Sequence, residues 1–315
     1  MAQWGPCGAA DPADTGMKSI LPTVLLRLAA SAAFAGEGDG RPLRVATLGT
    51  VLAEIAREVG GQRVEVTNLV RAGVDPHTFN PSPSDIRTLL DADVVLASGL
   101  RLEGYLDRLV ASIGPSGRVL AVGDALPVVL SLPRAGTAAE EDPHWWHSID
   151  NMVFAVEVVR AEFARARPTS ADVFASNALA YRNRLIALKA WAAGEIATLP
   201  AARRHLVTSH DAFGYFAHDY GFTIHAIDGL STDSEADAGH LAELIDLIRR
   251  EKIRAVFAES SANPRLIANL VGETGAQLGG TLYADGLGPA GSGAETYDAM
   301  YRHNVLAIVG ALSGP

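Results

Sequence analysis

Apolar positions fall into two patterns along this chain. Short continuous runs, at residues 43–48, 64–70, 94–97 and 119–122, alternate with helical periodicity at 51–59, 84–90 and 103–111. Apolar runs of this length fit strands buried on both faces. Their alternation with helices predicts a parallel sheet covered on both sides. The pattern changes at Asp150. From there to Ala166, and again from Thr169 to Leu199, there is no strand signal. The second stretch is rich in Ala, Leu, Arg, Lys and Glu, which are good helix formers, and it ends at Pro200. A helix of about 28 residues would span about 42 Å, long enough for a strut between two lobes. Alternation then resumes, with strands expected at 205–208, 222–227, 255–258 and 278–283 and helices at 213–220, 241–251, 264–274 and 294–312. The expected fold class is therefore α/β, with two parallel-sheet lobes joined by a long helix. The expected N-terminal lobe covers 41–168, the linker helix 169–199 and the C-terminal lobe 200–315.

Composition narrows the function. The chain has 315 residues, 48% of them hydrophobic, enough for two medium lobes. Its formal net charge of -10 argues against a nucleic-acid-binding surface, which needs clustered Lys and Arg. The N-terminus reads as a secretion signal: Met17-Lys18, an apolar stretch from Ile20 to Ala33, and a small-residue cleavage site at Ala33-Phe34-Ala35. Pro22 and Arg27 interrupt the stretch, which is too short to span a bilayer. Residues 1–35 are thus expected to be upstream sequence and signal peptide, with Met17 able to start a complete signal alone. Cleavage after Ala35 removes Cys7, the only cysteine, and with it any disulfide or thiolate site. No cysteine stands at the cleavage point, so the expectation is a soluble product without a lipid anchor.

The candidate chemistry lies in a repeated tripeptide, Asp75-Pro76-His77 and Asp142-Pro143-His144. His210 follows within Val207-Thr208-Ser209-His210-Asp211, and Asp285 within Leu282-Tyr283-Ala284-Asp285. In open α/β sheets ligands bind beyond the carboxyl ends of the strands, and all four residues occupy such positions, two per lobe. Three imidazoles and a carboxylate can close a metal site in the interlobe cleft. His147, just past Trp145-Trp146, competes with His144 for that role, and the tripeptide favours His144. Asp75 and Asp142 are also suited to capping backbone amides. His205, His218, His225, His240 and His303 read as structural or surface residues, and Trp145 and Trp146 as cleft walls. There is no His-Glu-x-x-His helix, P-loop or strand-coupled dinucleotide fingerprint. Gly286 to Gly291 reads as a loop.

These residues resemble the zinc/manganese solute-binding proteins of ABC importers over nearly all of the chain past Ala35. The likeness rests on Asp75-Pro76-His77 with Asn80-Pro81-Ser82-Pro83-Ser84-Asp85, and on Asp142-Pro143-His144 with Trp146 and Asn151. It continues in Ser209-His210-Asp211-Ala212-Phe213-Gly214-Tyr215-Phe216, Gly229-Leu230-Ser231-Thr232, Phe257-Ala258-Glu259, and Tyr297 with His303-Asn304. The resemblance implies a rigid helical backbone between the lobes and His77, His144, His210 and Asp285 as metal ligands. It also implies no enzymatic activity, a periplasmic location and an ABC-type permease in the inner membrane as partner. A periplasmic metal chaperone is a further candidate partner, and the chain is expected to be monomeric. Members with a carboxylate at the third position look like manganese binders, whereas this chain has His210. Imidazole-rich ligation suits one Zn2+ per chain, with manganese import as the alternative and a secreted zinc hydrolase behind it. Residues 124–142 depart from zinc members that carry a His-rich loop there, since this segment holds no histidine. The acidic 228–239 loop, with Asp233, Glu235 and Asp237, is read as a solvated segment that can influence loading.

Overall fold

A computed structural model describes residues 41–113, 119–132, 139–231, 238–260 and 264–314. The expected signal peptide and the acidic positions Asp233, Glu235 and Asp237 lie outside the described residues. From Gly40 onward the chain forms one compact unit. Its first sheet contains β1 (Leu43–Thr47), β2 (Val64–Asn68), β3 (Val94–Ala97) and β4 (Val119–Ala121), in the order β2-β1-β3-β4. The second contains β7 (His205–His210), β8 (Thr223–Asp228), β9 (Ala255–Glu259) and β10 (Gln277–Leu282), in the order β10-β9-β7-β8. All pairings within both sheets are parallel. The apolar runs thus became the strands of the two sheets, and the central β3 is buried at every position. Between the sheets a short antiparallel hairpin, β5 (Ser131–Leu132) with β6 (Glu140–Glu141), appears where no strand was expected.

Helices α1 (Thr50–Gly60), α2 (Pro83–Asp91) and α3 (Leu106–Ile113) cover the first sheet, and α6 (Gly214–Tyr220), α7 (Ala238–Glu251) and α8 (Pro264–Thr274) the second. Ser82 starts α2 with a capping box in which Asp85 answers the Ser82 amide. The helical middle forms α4 (Ile149–Ala166) and α5 (Ala171–Ala197), with a tight turn at Pro168–Ser170 between them. The 27 residues of α5 give about 40 Å of rod. The final helix, α9 (Tyr297–Ser313), packs against α5 and β10.

The largest core follows this helical middle. It joins Leu52 and Ile55 of α1, Val156 and Phe163 of α4, and Phe174, Leu185 and Leu188 of α5 to Phe213, Phe257 and Tyr301. Smaller cores fill the far faces of the sheets, around Leu89, Val95 and Leu109 in one and Leu244, Val256 and Leu270 in the other. The two sheets therefore share one continuous apolar layer. Among the described residues, no helix is long and apolar enough to cross a membrane.

Candidate metal centre

The two Asp-Pro-His tripeptides fold alike. Asp75 Oδ1 accepts the His77 amide (2.8 Å), and Asp142 Oδ1 accepts the His144 amide (2.9 Å). Each aspartate closes a turn onto the backbone two residues on, and the intervening proline fixes φ. The first turn lies in the loop between β2 and α2. The second follows the β5–β6 hairpin, whose exit is tied down when the Asp142 amide donates to Leu130 O (2.9 Å) and the Tyr215 hydroxyl to Asp142 O (3.1 Å). No strand was expected there, but the hairpin carries Asp142 and His144 to the centre.

His210 closes β7, and Asp285 lies just beyond β10. The parallel register that pairs Val207 with Val256 brings the ends of β7 and β9 together. It sets His210 beside Glu259, which ends β9. Glu259 Oε1 accepts the His210 amide (3.1 Å), and Oε2 accepts the His210 Nδ1–H. The β7–β9 junction is where the strand order reverses, a usual place for a ligand in an open sheet.

These elements bring His77, His144, His210 and Asp285 together. Each offers a ligand atom, all within 4.8 Å of one another. Nε2 of His144 lies 3.2 Å from Nε2 of His77 and 3.3 Å from Nε2 of His210. Asp285 Oδ1 is 3.5, 3.6 and 3.3 Å from Nε2 of His77, His144 and His210. The four side chains are only 0–4% exposed. Five of the six edges of this tetrahedron are thus 3.2–3.6 Å long. A regular tetrahedron of that size has its centre about 2.0–2.2 Å from each corner, the bond length of zinc to imidazole and carboxylate. With the sixth pair of ligand atoms also within 4.8 Å, the donor set suits a four-coordinate divalent ion.

Protonation is arranged to match. A carboxylate can only accept, so Asp142 Oδ1, 2.8 Å from His144 Nδ1, takes its N–H, as Glu259 takes that of His210. With Nδ1–H held in this way, a deprotonated ring presents its Nε2 lone pair to the centre, the usual outer arrangement of a ligating histidine. Burial depresses the His144 pKa, but hydrogen bonds to Asp142 and Asp285 outweigh it and the net shift is upward. For His210 burial is likewise overcome, chiefly by the Glu259 charge and then by Asp285, and the pKa rises well above the ordinary range. Burial pushes Asp285 up, yet the His210 charge and the imidazole hydrogen bonds hold it well below the usual carboxylate range. Without an ion, protons neutralise this acidic pocket, and a divalent cation displaces them.

The remaining sequence readings resolve by contact. His147 points away from the four and donates its Nε2–H to Ala284 O (2.9 Å), and Trp146 Nε1 donates to the same carbonyl (2.9 Å). Trp146 also packs edge-on against His144, with ring centroids 5.5 Å apart. His205 and His225 bond each other, His240 bonds Ala226 O, His303 bonds Thr281 O, and His218 contacts Asp219. Supports that sequence reasoning left without a role are equally plain. Buried Asn304 clasps Tyr283, accepting its amide (3.0 Å) and donating to its carbonyl (2.9 Å), two residues before Asp285. The Thr50 hydroxyl accepts the Leu287 amide (2.8 Å), and a Cβ at Gly286 would sit 2.4 Å from that oxygen. The Glu54 carboxylate accepts the Tyr297 amide and the Tyr181 hydroxyl, joining α1, α5 and α9.

The family model for the periplasmic component A of the zinc-uptake complex, ZnuA, matches residues 45–311. The protein named manganese-binding lipoprotein MntA, from Bacillus subtilis strain 168, is 40% identical over 284 residues, covering 88% of this chain and 92% of its own. The zinc-binding protein TroA of Treponema pallidum is 36% identical over 282 residues, covering 87% and 90%. The solved structure of periplasmic zinc-binding TroA superposes with a TM-score of 0.81 at 35% identity, covering 87% of this chain and 99% of the other.

Proposed function

Since the chain belongs to the ZnuA family of metal-binding components of ABC importers, which are not enzymes, we propose that it carries Zn2+. The proposed ligands are His77, His144, His210 and Asp285, and the proposed site of action is the periplasm, where the ion passes to the ABC permease with which this family works. The observation that supports zinc is the donor set at its spacing: three imidazole nitrogens and one carboxylate oxygen, with edges of 3.2–3.6 Å. Zinc accepts closed four-coordination by nitrogen and oxygen, whereas manganese favours more oxygen ligands.

Capture and release follow from the same geometry. Asp285, Asp142 and Glu259 place three carboxylates in or against a buried pocket. A divalent cation offsets their mutual repulsion, which gives the binding its drive. Two of the proposed ligands come from each lobe, so the ion bridges them. Four protein ligands leave no open position for water, as suits a transported ion rather than a catalytic one. Release to the permease requires this shell to open.

Manganese is the second reading, because the relative named for manganese is 40% identical and the zinc-named relative 36%. Solution affinity alone does not separate the two, since nitrogen-rich sites favour zinc over manganese in general. The test has two parts. The metal content of protein isolated from its own periplasm, grown with both ions supplied, is expected to be one zinc per chain. X-ray absorption of the zinc form is expected to show four nitrogen or oxygen neighbours at about 2.0–2.2 Å. Manganese in the isolated protein would overturn the zinc reading.

A further inference from the structure

We propose that His147 is a positioning residue. It does not bind the cation, but it couples Asp285 and His210 to the turn that carries His144. This rests on the ligand set proposed above and adds a determinant of affinity to it.

The His147 imidazole is buried (1% exposed) where the two lobes meet. On one side its Nε2–H reaches Ala284 O (2.9 Å), the carbonyl immediately before Asp285. Trp146 Nε1 reaches the same oxygen from a second direction (2.9 Å). Two donors on one carbonyl fix the plane of the Ala284–Asp285 peptide, and with it the direction in which the Asp285 side chain leaves the backbone. On its other side the ring packs on Phe213, centroids 4.4 Å apart and planes 33° apart. Phe213 lies three residues beyond His210, where the chain turns from β7 into α6. The His147 backbone is held as well: its amide donates to His144 O (3.2 Å), and its carbonyl accepts the Tyr301 hydroxyl (3.1 Å). One side chain therefore touches the stems of both ligands from the second lobe while its own backbone is bonded to His144. With Nε2–H committed to Ala284 O, that nitrogen has no lone pair for an ion.

Removing the Nε2–H leaves Trp146 as the sole side-chain donor to that carbonyl among the described residues, and the Asp285 peptide gains freedom to tilt. Loss of an outer partner of this kind typically weakens metal binding by about 10–100-fold. The experiment compares His147→Phe and His147→Gln in the metal-free full chain, titrated with zinc against a chromophoric chelator. Phe keeps a flat ring on Phe213 and removes the donor, whereas Gln restores an N–H within reach of Ala284 O. The expected result is one zinc per chain in both variants, with affinity about 10–100-fold lower for Phe and within about threefold of the parent for Gln. Cobalt-substituted His147→Phe is expected to keep the intense four-coordinate spectrum. Parental affinity in His147→Phe would overturn the proposal, as would a cobalt spectrum showing a lost nitrogen ligand. So would a metal-free melting temperature that falls enough to account for the weaker binding. His210→Ala run in parallel tests the ligand set separately: full zinc retention there refutes the ligands, whatever His147 does.

Discussion

Replacing Glu259 by Gln removes one charge from the site and changes almost no volume. The Glu259 carboxylate makes two bonds to one residue: Oε1 to the His210 amide (3.1 Å) and Oε2 to His210 Nδ1. A carboxylate accepts both. A Gln amide has one accepting and one donating end, so one of its contacts becomes donor against donor. If its oxygen stays on Nδ1–H, the His210 amide faces an NH2 group. If the NH2 faces Nδ1, the ring must move its proton to Nε2, the atom aimed at the ion. The first keeps the ligating tautomer but leaves the buried His210 amide without an acceptor, and the second gives that tautomer up. We expect zinc affinity to fall about 10–100-fold, equivalent to about 1.4–2.7 kcal/mol. The loss should shrink as pH falls, because the same carboxylate also stabilises the proton that competes with zinc on His210. The assay is chelator competition at several pH values, with stoichiometry measured alongside. An affinity within twofold of the parent at neutral pH, or a deficit that grows on acidification, would refute the reasoning.

A methyl group at Gly214 would lie 2.5 Å from Asp142 Oδ2. Gly214→Ala should therefore push that carboxylate off His144 and weaken zinc binding in the same titration, and unchanged affinity would count against the Asp142 contact. Asn304→Ala leaves the buried amide and carbonyl of Tyr283 without their partner. A cost of about 2–4 kcal/mol in urea unfolding of the metal-free protein is expected, at about 1–3 kcal/mol per orphaned group with partial relaxation. Glu103 is buried, and desolvation raises its pKa from 4.5 to about 7 against the pull of the Ser98 and Gly99 amides. The folded state then holds a proton that the unfolded chain releases, so this group's contribution is full below pH 4.5 and lost as pH rises through about 7. The stability difference between Glu103→Gln and the parent should move in the variant's favour by about 3 kcal/mol across that window, and a pH-independent difference would refute the assignment.

Much of the fold was legible because both sheets are parallel and covered on two faces. The central strands of such sheets are apolar almost throughout, so runs like Val94–Ala97 stand out without any alternation to decode. Boundaries failed where side chains did other work. Helix α3 begins at Leu106 and not at Glu103, because the Glu103 carboxylate folds back onto Ser98 and Gly99 and supports Gly99, Leu100 and Arg101 at positive φ. Helix α9 begins at Tyr297 because the Thr296 hydroxyl caps it by accepting the Ala299 amide. The β5–β6 hairpin has only two residue pairs, too few to leave a pattern. The four candidate ligands could be read because each follows an apolar run or a proline. Their outer partners were less accessible. Asp142 was visible as a cap but not as the acceptor of an imidazole N–H. The Glu259 contact depends on strand register across 49 residues, which local sequence does not encode.

The same contacts bear on how such a protein lets go of its ion. A hinge that swung the lobes apart would have to expose the apolar layer running from α1 through α4 and α5 to α9. It would also strain the bonds that cross it: Glu54 to the Tyr297 amide, Thr50 to the Leu287 amide, and the Trp146 indole to Ala284 O. Each bond contributes about 1 kcal/mol net, and exposing the layer would cost far more at about 25 cal/mol per Å2 of apolar surface. A local change faces no such barrier. His77 lies on the irregular chain between Asn68 and Pro83, whereas His144, His210 and Asp285 are braced through Asp142, Glu259 and Ala284. Moving that loop removes one imidazole and leaves the core closed. The least costly opening is therefore expected to begin at His77, with the other three proposed ligands keeping their geometry.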